Sequence, residues 1–197
     1  MQDSLVLASA SPRRQALLEQ LGVRFVVVPA DIDESPHPGE SPVDYVRRVA
    51  RDKARAVREG GHAESAVLAA DTSVVLDDDI LGKPRDHFHA LGMLARLSGR
   101  THQVMTAVCL STQGAEEVIA VETAVTFLGL DRTTCERYLD SGEAWDKAGA
   151  YAIQGLGGAL VASINGSYSN VVGLPLAETW QLLCRHRVQT ALGQCDE

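Results

Sequence analysis

Apolar and polar positions fall into blocks that predict strands and helices in alternation. Leu5-Val6-Leu7-Ala8 is a short apolar run and predicts a buried strand. Ser9-Ala10-Ser11-Pro12 breaks it, with Ser11 placed as an N-cap and Pro12 at the first position of a helix that reaches Leu21 and stops at Gly22. Arg24 to Val28 predicts a second strand, and Pro29 to Glu40 an acidic, proline-containing loop. Ser41-Pro42 repeats the helix start, and a helix follows to about Arg58, ended by Gly60-Gly61. Ala66 to Leu76 is a long apolar strand interrupted at Asp71-Thr72, followed by a loop from Asp77 to Pro84 and a helix from His87 to Leu97. Thr101 to Leu110 and Val118 to Phe127 alternate as two paired strands around Gly114. Thr133 to Ser141 reads as a helix, and Asp146 to Gly158 as a glycine-rich loop. Ala159 to Ile164 and Ser167 to Val172 flank Asn165-Gly166 as a hairpin. A last helix runs from Pro175 to about Arg185, and 188–197 reads as a flexible tail. Alternating strands and helices followed by a hairpin-rich stretch predict an α/β fold with a mixed sheet.

Composition adds limits. A chain of 197 residues with 45% hydrophobic content can bury a substantial core in one domain or two interleaved lobes. The formal net charge of -8 argues against a nucleic-acid-binding surface, so any anionic ligand needs locally placed cations. Cys109, Cys135, Cys184 and Cys195 form no CxxC pair and no zinc-like spacing with histidine. Met1 to Ser4 leads straight into a strand, with no signal peptide, and no apolar run approaches membrane-spanning length. These features predict a reduced, cytoplasmic protein.

Four charges, at three places, stand where the pattern asks for something else. Arg13 and Arg14 open the first helix, whose N-terminus carries partial positive charge and prefers acids. They could be a solvated basic pair. With free backbone amides and the hydroxyls of Ser9 and Ser11 they could instead hold a phosphate. Laid out at 100° per residue, the Pro42–Arg58 helix has Val46, Val49, Ala50 and Val57 on one stripe and Lys53 near its middle. A lysine there either snorkels to water or meets an anion. Asp71 interrupts a buried strand and needs a partner, a metal or a catalytic task, or else caps a nearby turn. Thr72 beside it offers one hydroxyl.

Other signals are weaker. Glu34 lies in the acidic loop, and Lys83 is fixed at a loop tip between Gly82 and Pro84. Lys147 follows the same pattern in Asp146-Lys147-Ala148-Gly149. Gln154-Gly155-Leu156-Gly157-Gly158 is neither a Walker loop nor a dinucleotide fingerprint, and Gln154 can both donate to and accept from a base edge. The six histidines form no ligand set, and most read as surface residues.

Together these blocks resemble the Maf-like nucleoside triphosphate pyrophosphatases. The resemblance runs through Leu7-Ala8-Ser9-Ala10-Ser11-Pro12-Arg13-Arg14, Ala50-Arg51-Asp52-Lys53-Ala54, Ala70-Asp71-Thr72, Gly82-Lys83-Pro84 and Thr101-His102-Gln103-Val104. It continues through Asp146-Lys147-Ala148-Gly149-Ala150-Tyr151, Gln154-Gly155 and Asn165-Gly166-Ser167-Tyr168. It implies one domain over 1–187, a mixed α/β fold in two interleaved lobes with a central cleft, and a cytoplasmic homodimer. It also implies hydrolysis of a nucleoside triphosphate to the monophosphate and pyrophosphate with Mg2+ or Mn2+, as nucleotide-pool house-cleaning. Asp71 matches the family's general base. Arg13, Arg14, Lys53 and Lys83 match phosphate contacts, and Glu34 a metal-holding acid. Arg13, Thr72 and Gln154 match positions tied to substrate choice. The stretch from Asp146 to Gln154 is similar to the dTTP/UTP branch, whereas the 7-methyl-GTP branch carries an acid where Gln154 stands. The rival reading from another class is a non-catalytic nucleotide-binding regulator of cell division.

Overall fold

The computed structural model describes residues 5–193. The reading of Met1–Ser4, Cys195 and the rest of 194–197 lies outside the described residues. In chain order the elements are β1 (Leu5–Leu7), α1 (Pro12–Gln20), β2 (Phe25–Val27), α2 (Pro42–Val57), β3 (Val67–Leu76), β4 (Asp79–Leu81) and α3 (His87–Leu97). They continue with β5 (Thr101–Ser111), β6 (Glu116–Phe127), α4 (Arg132–Asp140), β7 (Val161–Asn165), α5 (Tyr168–Val172) and α6 (Leu176–Arg185). The strands form a mixed seven-stranded sheet with hydrogen-bonding order β2-β1-β3-β5-β6-β7, and β4 added to β3. The mixed α/β expectation is met. The described residues divide into two compact units, one of 5–71, 106–121 and 173–193, the other of 72–105 and 122–172.

In the first unit β1 pairs in parallel with both β2 and β3, with Leu7 opposite Val27 on one side and Leu68 on the other. Parallel strands buried on both faces read as continuous apolar runs, which is why Leu5-Val6-Leu7 and Val67-Leu68-Ala69-Ala70 show no alternation. The helices of this unit bury Leu17 and Leu18 of α1, Val46 and Val49 of α2, and Leu182 and Leu183 of α6. Ser11 caps α1 by accepting from the Arg14 N–H, and Ser41 caps α2 by accepting from the Asp44 N–H at 3.2 Å. After α2 the chain winds one wide turn over Arg58–His62, with Gly61 at φ 113°. Residues 188–193, expected as part of a flexible tail, hold Thr190 buried and donate from the Ala191 N–H to the Leu21 carbonyl at 2.8 Å.

In the second unit α3, α4 and the strands β4, β5 and β6 enclose a core that includes Leu76, Leu94, Leu97, Val125, Phe127 and Leu139. β7 pairs antiparallel with β6, placing Ile164 opposite Val125.

Three local expectations are corrected. β3 is continuous from Val67 to Leu76 and is not interrupted at Asp71-Thr72, because Asp71 finds a charged partner without leaving the ladder. The loop from Asp77 to Pro84 contains β4. Asp77 and Asp78, at φ 53° and 67°, form the two-residue turn of a β3–β4 hairpin, a left-handed conformation that aspartate tolerates. The stretch after Asn165-Gly166 is not a strand. Ser167 accepts from the Asn170 N–H at 3.2 Å and starts α5, so helix capping prevails over the hairpin signal. Among the histidines, most of which lie at the surface as expected, His102 is the buried one: it is 2% exposed and makes an edge-to-face group with Phe127 and Tyr151.

Candidate functional site

Lys53 projects from the apolar stripe of α2, flanked by buried Tyr45, Val46, Val49, Ala50, Ala54 and Val57. Only 8% of it is exposed. Its ammonium donates to Asp71 Oδ1 at 2.9 Å and lies 2.9 Å from Glu34 Oε1. Asp71, 6% exposed, stands three residues beyond Leu68, the partner of Leu7, so the parallel β1–β3 pairing fixes its height along the sheet. The buried lysine and the buried aspartate expected from the sequence are therefore each other's partner, and the acidic loop supplies a second carboxylate.

Arg14 joins the same group. Its Nε donates to the Gly173 carbonyl at 2.9 Å and its Nη1 to Ser9 Oγ at 3.3 Å. Ser9 is 7% exposed and also accepts from the Ser11 N–H at 3.2 Å. Burial holds the Arg14 guanidinium below its ordinary pKa, opposed by the nearby charges of Asp71 and Glu34 and assisted by that of Arg13. Arg14 is itself partly exposed, and its guanidinium is tethered to the Gly173 carbonyl and Ser9. Arg13, beside it on the first turn of α1, is partly exposed.

Two residues that the sequence reading missed hold the loop that carries Glu34. Tyr45 Oη donates to the Glu34 carbonyl at 2.8 Å. Burial, with Asp71 and Glu34 nearby, pushes the Tyr45 hydroxyl up to about 12, so it remains a donor at neutral pH. Arg48 grips Glu40 with two hydrogen bonds of 2.6 and 2.8 Å and donates from Nη2 to the Ser35 carbonyl at 3.1 Å. That bidentate grip holds the Glu40 carboxyl down to about 2. The spacing of Tyr45 and Arg48, one helical turn apart below an acidic loop, was the available signal.

The remaining expected residues belong to the second unit. Thr72 follows Asp71 directly on β3 and is partly exposed. Lys83 is exposed in the loop after β4. The Gly149 N–H donates to the Gly82 carbonyl at 3.1 Å, which ties the Lys83 loop to the Lys147 loop. Lys147 pairs with Asp146. Gln154 is exposed on a turn before a short 3₁₀ segment, Leu156–Leu160.

The Maf-like protein family matches residues 4–186. The chain belongs to that family. It is 58% identical over 184 residues to a dTTP/UTP pyrophosphatase of Myxococcus xanthus, covering 93% of both chains. It is 54% identical over 180 residues to a dTTP/UTP pyrophosphatase of Alcanivorax borkumensis, covering 91% of this chain and 93% of the relative. Among solved structures, a dITP/XTP pyrophosphatase of Mycobacterium abscessus aligns with TM-score 0.42 and 22% identity over 63% of this chain and 74% of its own.

Among the described residues no group of three or more His, Cys, Asp or Glu is arranged to hold a metal ion unaided. Glu34 and Asp71 nevertheless share one ammonium, so the two carboxylates already converge on a cation. That donor set suits Mg2+, which commonly takes one or two carboxylates and completes its octahedron with waters and substrate phosphates.

Proposed function

We propose that this Maf family member is a metal-dependent pyrophosphatase that hydrolyses dTTP and UTP to the monophosphate and pyrophosphate, with residues 1–187 as its catalytic domain. The observation that carries the reading is Lys53, buried on an apolar helix face between the carboxylates of Asp71 and Glu34. A binding surface alone has no use for two acids where phosphates are to sit, whereas hydrolysis needs a proton acceptor and a cation site beside them. The names of relatives above 50% identity support the same substrates.

Asp71 orients the attacking water and takes its proton as the water oxygen bonds to the α-phosphorus. The bond from that phosphorus to the α–β bridging oxygen breaks, and pyrophosphate departs with the electron pair. Lys53, Arg13, Arg14 and Lys83 hold phosphate oxygens, and Ser9 adds a hydroxyl donor. Glu34 and Asp71 would hold Mg2+ or Mn2+, which when bound neutralises developing phosphate charge. Gln154 offers an amide donor and acceptor to the pyrimidine edge, and Thr72 a hydroxyl. The same reading makes the enzyme a cytoplasmic homodimer acting in nucleotide-pool house-cleaning. Its buried free thiols Cys109, Cys135 and Cys184 suit a reducing compartment.

Pyrophosphate release from dTTP, UTP, CTP and 7-methyl-GTP with Mg2+ tests this reading. Preference for dTTP and UTP is expected. Preference for 7-methyl-GTP would move the chain to the other branch, and binding without turnover would make it a regulator.

A further inference from the structure

Gln154 is exposed, and the turn that carries it is held from both sides. On the near side the Ala152 N–H donates to Tyr138 Oη at 3.0 Å. On the far side the Leu156 and Gly157 N–H groups donate to the two carboxylate oxygens of Glu143, at 2.8 and 3.2 Å. Those amides open the 3₁₀ segment Leu156–Leu160, where no preceding carbonyl within the segment can serve them. Glu143 is itself placed, its N–H donating to Ser141 Oγ at 3.3 Å while that hydroxyl donates to the Tyr138 carbonyl at 2.6 Å. Gly155 lies directly against the carboxylate. A Cβ at that position would stand 2.3 Å from Glu143 Oε1, so any larger residue would push the carboxylate off the turn.

We infer that Glu143 is a positioning residue for nucleobase selection, its carboxylate fixing the Gly155–Gly157 backbone and thereby the direction in which Gln154 presents its amide. The inference rests on the dTTP/UTP reading above. An amide offers a donor and an acceptor, and a freely turning one presents them in either order. Discrimination between thymine or uracil, with a carbonyl and a ring N–H, and cytosine, with an amino group and a bare ring nitrogen, then requires a fixed amide. Two charge-assisted hydrogen bonds from a side chain outside the turn supply that fixity.

The test is the ratio of kcat/KM for dTTP to that for CTP in wild type, Glu143→Ala, Gly155→Ala, Gln154→Ala and the Glu143→Ala/Gln154→Ala double variant. Glu143→Ala is expected to reduce the ratio roughly tenfold, chiefly by raising KM for dTTP, the scale of one lost oriented hydrogen-bonding group. Gly155→Ala should reproduce the loss with Glu143 intact, and it carries the test if Glu143→Ala does not fold. Adding Glu143→Ala to Gln154→Ala should change the ratio less than twofold, since a positioning residue has nothing left to aim. An unchanged ratio in Gly155→Ala and in a folded Glu143→Ala, or an equal further loss in the double variant, would overturn the inference. Wild-type protein that releases no pyrophosphate from either nucleotide would instead overturn the functional reading, before any variant is measured.

Discussion

The Lys53 ammonium bridges Asp71 Oδ1 and Glu34 Oε1 at 2.9 Å each, joining the middle of an apolar helix face to a buried strand and an acidic loop. Removing the ammonium leaves a buried carboxylate at Asp71 with its principal partner gone. Lys53→Met should therefore destabilise the protein by about 3 kcal/mol despite its good apolar fit. In a chain of this size that is a drop of roughly 6–12 °C in the unfolding midpoint. Thermal unfolding at neutral pH measures it. Recovery of much of the loss by adding Asp71→Asn to Lys53→Met would show that the stranded charge is the cause.

Tyr45 holds the backbone of Glu34 while the Glu34 carboxylate reaches Lys53. Tyr45→Phe keeps the ring and deletes one hydrogen bond, so stability should fall by only about 1 kcal/mol. The larger effect should be on metal use. The Mg2+ concentration for half-maximal turnover is expected to rise severalfold, with kcat at saturating Mg2+ within about twofold of wild type. A Mg2+ titration at fixed dTTP reads both quantities.

His102 gives a pH dependence. Burial pulls its imidazole from 6.5 down to about 4, and its Nε2 lies 2.8 Å from Tyr151 Oη. The folded state thus favours neutral His102, while the unfolded chain binds a proton near 6.5. This contribution to stability is complete above about pH 6.5 and is lost as pH falls toward 4, a span on the order of 3 kcal/mol. Urea unfolding between pH 7 and 4.5 should show the decline. His102→Gln, which cannot titrate, should flatten it in that window.

Much of the site was legible because its residues violate a local rule. Lys53 lies on an apolar stripe, Asp71 inside an apolar strand, and Arg14 at a helix end that prefers acids. Each violation survives folding because the three are arranged together with Glu34 and Ser9. Tyr45, Arg48 and Glu143 broke no rule. A tyrosine on an amphipathic helix, an arginine on its flank and a glutamate in a polar loop are ordinary, and only tertiary contacts show what they hold. The elements behaved similarly. Long periodic helices such as α2 were readable to within a residue or two, whereas β4 and α5 were missed because they are too short for periodicity. They depend on turn chemistry at Asp77-Asp78 and on the Ser167 cap.

The position of Gln154 predicts a change in substrate ranking. Gln154→Glu keeps the length of the side chain and replaces its donor with a second acceptor. Turnover of dTTP and UTP should fall roughly tenfold or more in kcat/KM, with the fall concentrated in KM. The same substrate panel measures it, and an unchanged ranking would remove Gln154 from base reading.

The central claim is that Asp71 activates water and does not merely bind nucleotide. The direct measurement compares Asp71→Asn with wild type in single-turnover pyrophosphate release from dTTP at saturating Mg2+, alongside dTTP affinity by calorimetry with Ca2+ replacing Mg2+. A positioned general base commonly contributes 10²–10⁴-fold. The account predicts a loss of at least about 100-fold in the release rate with affinity changed by less than about fivefold. A release rate within about threefold of wild type would contradict it.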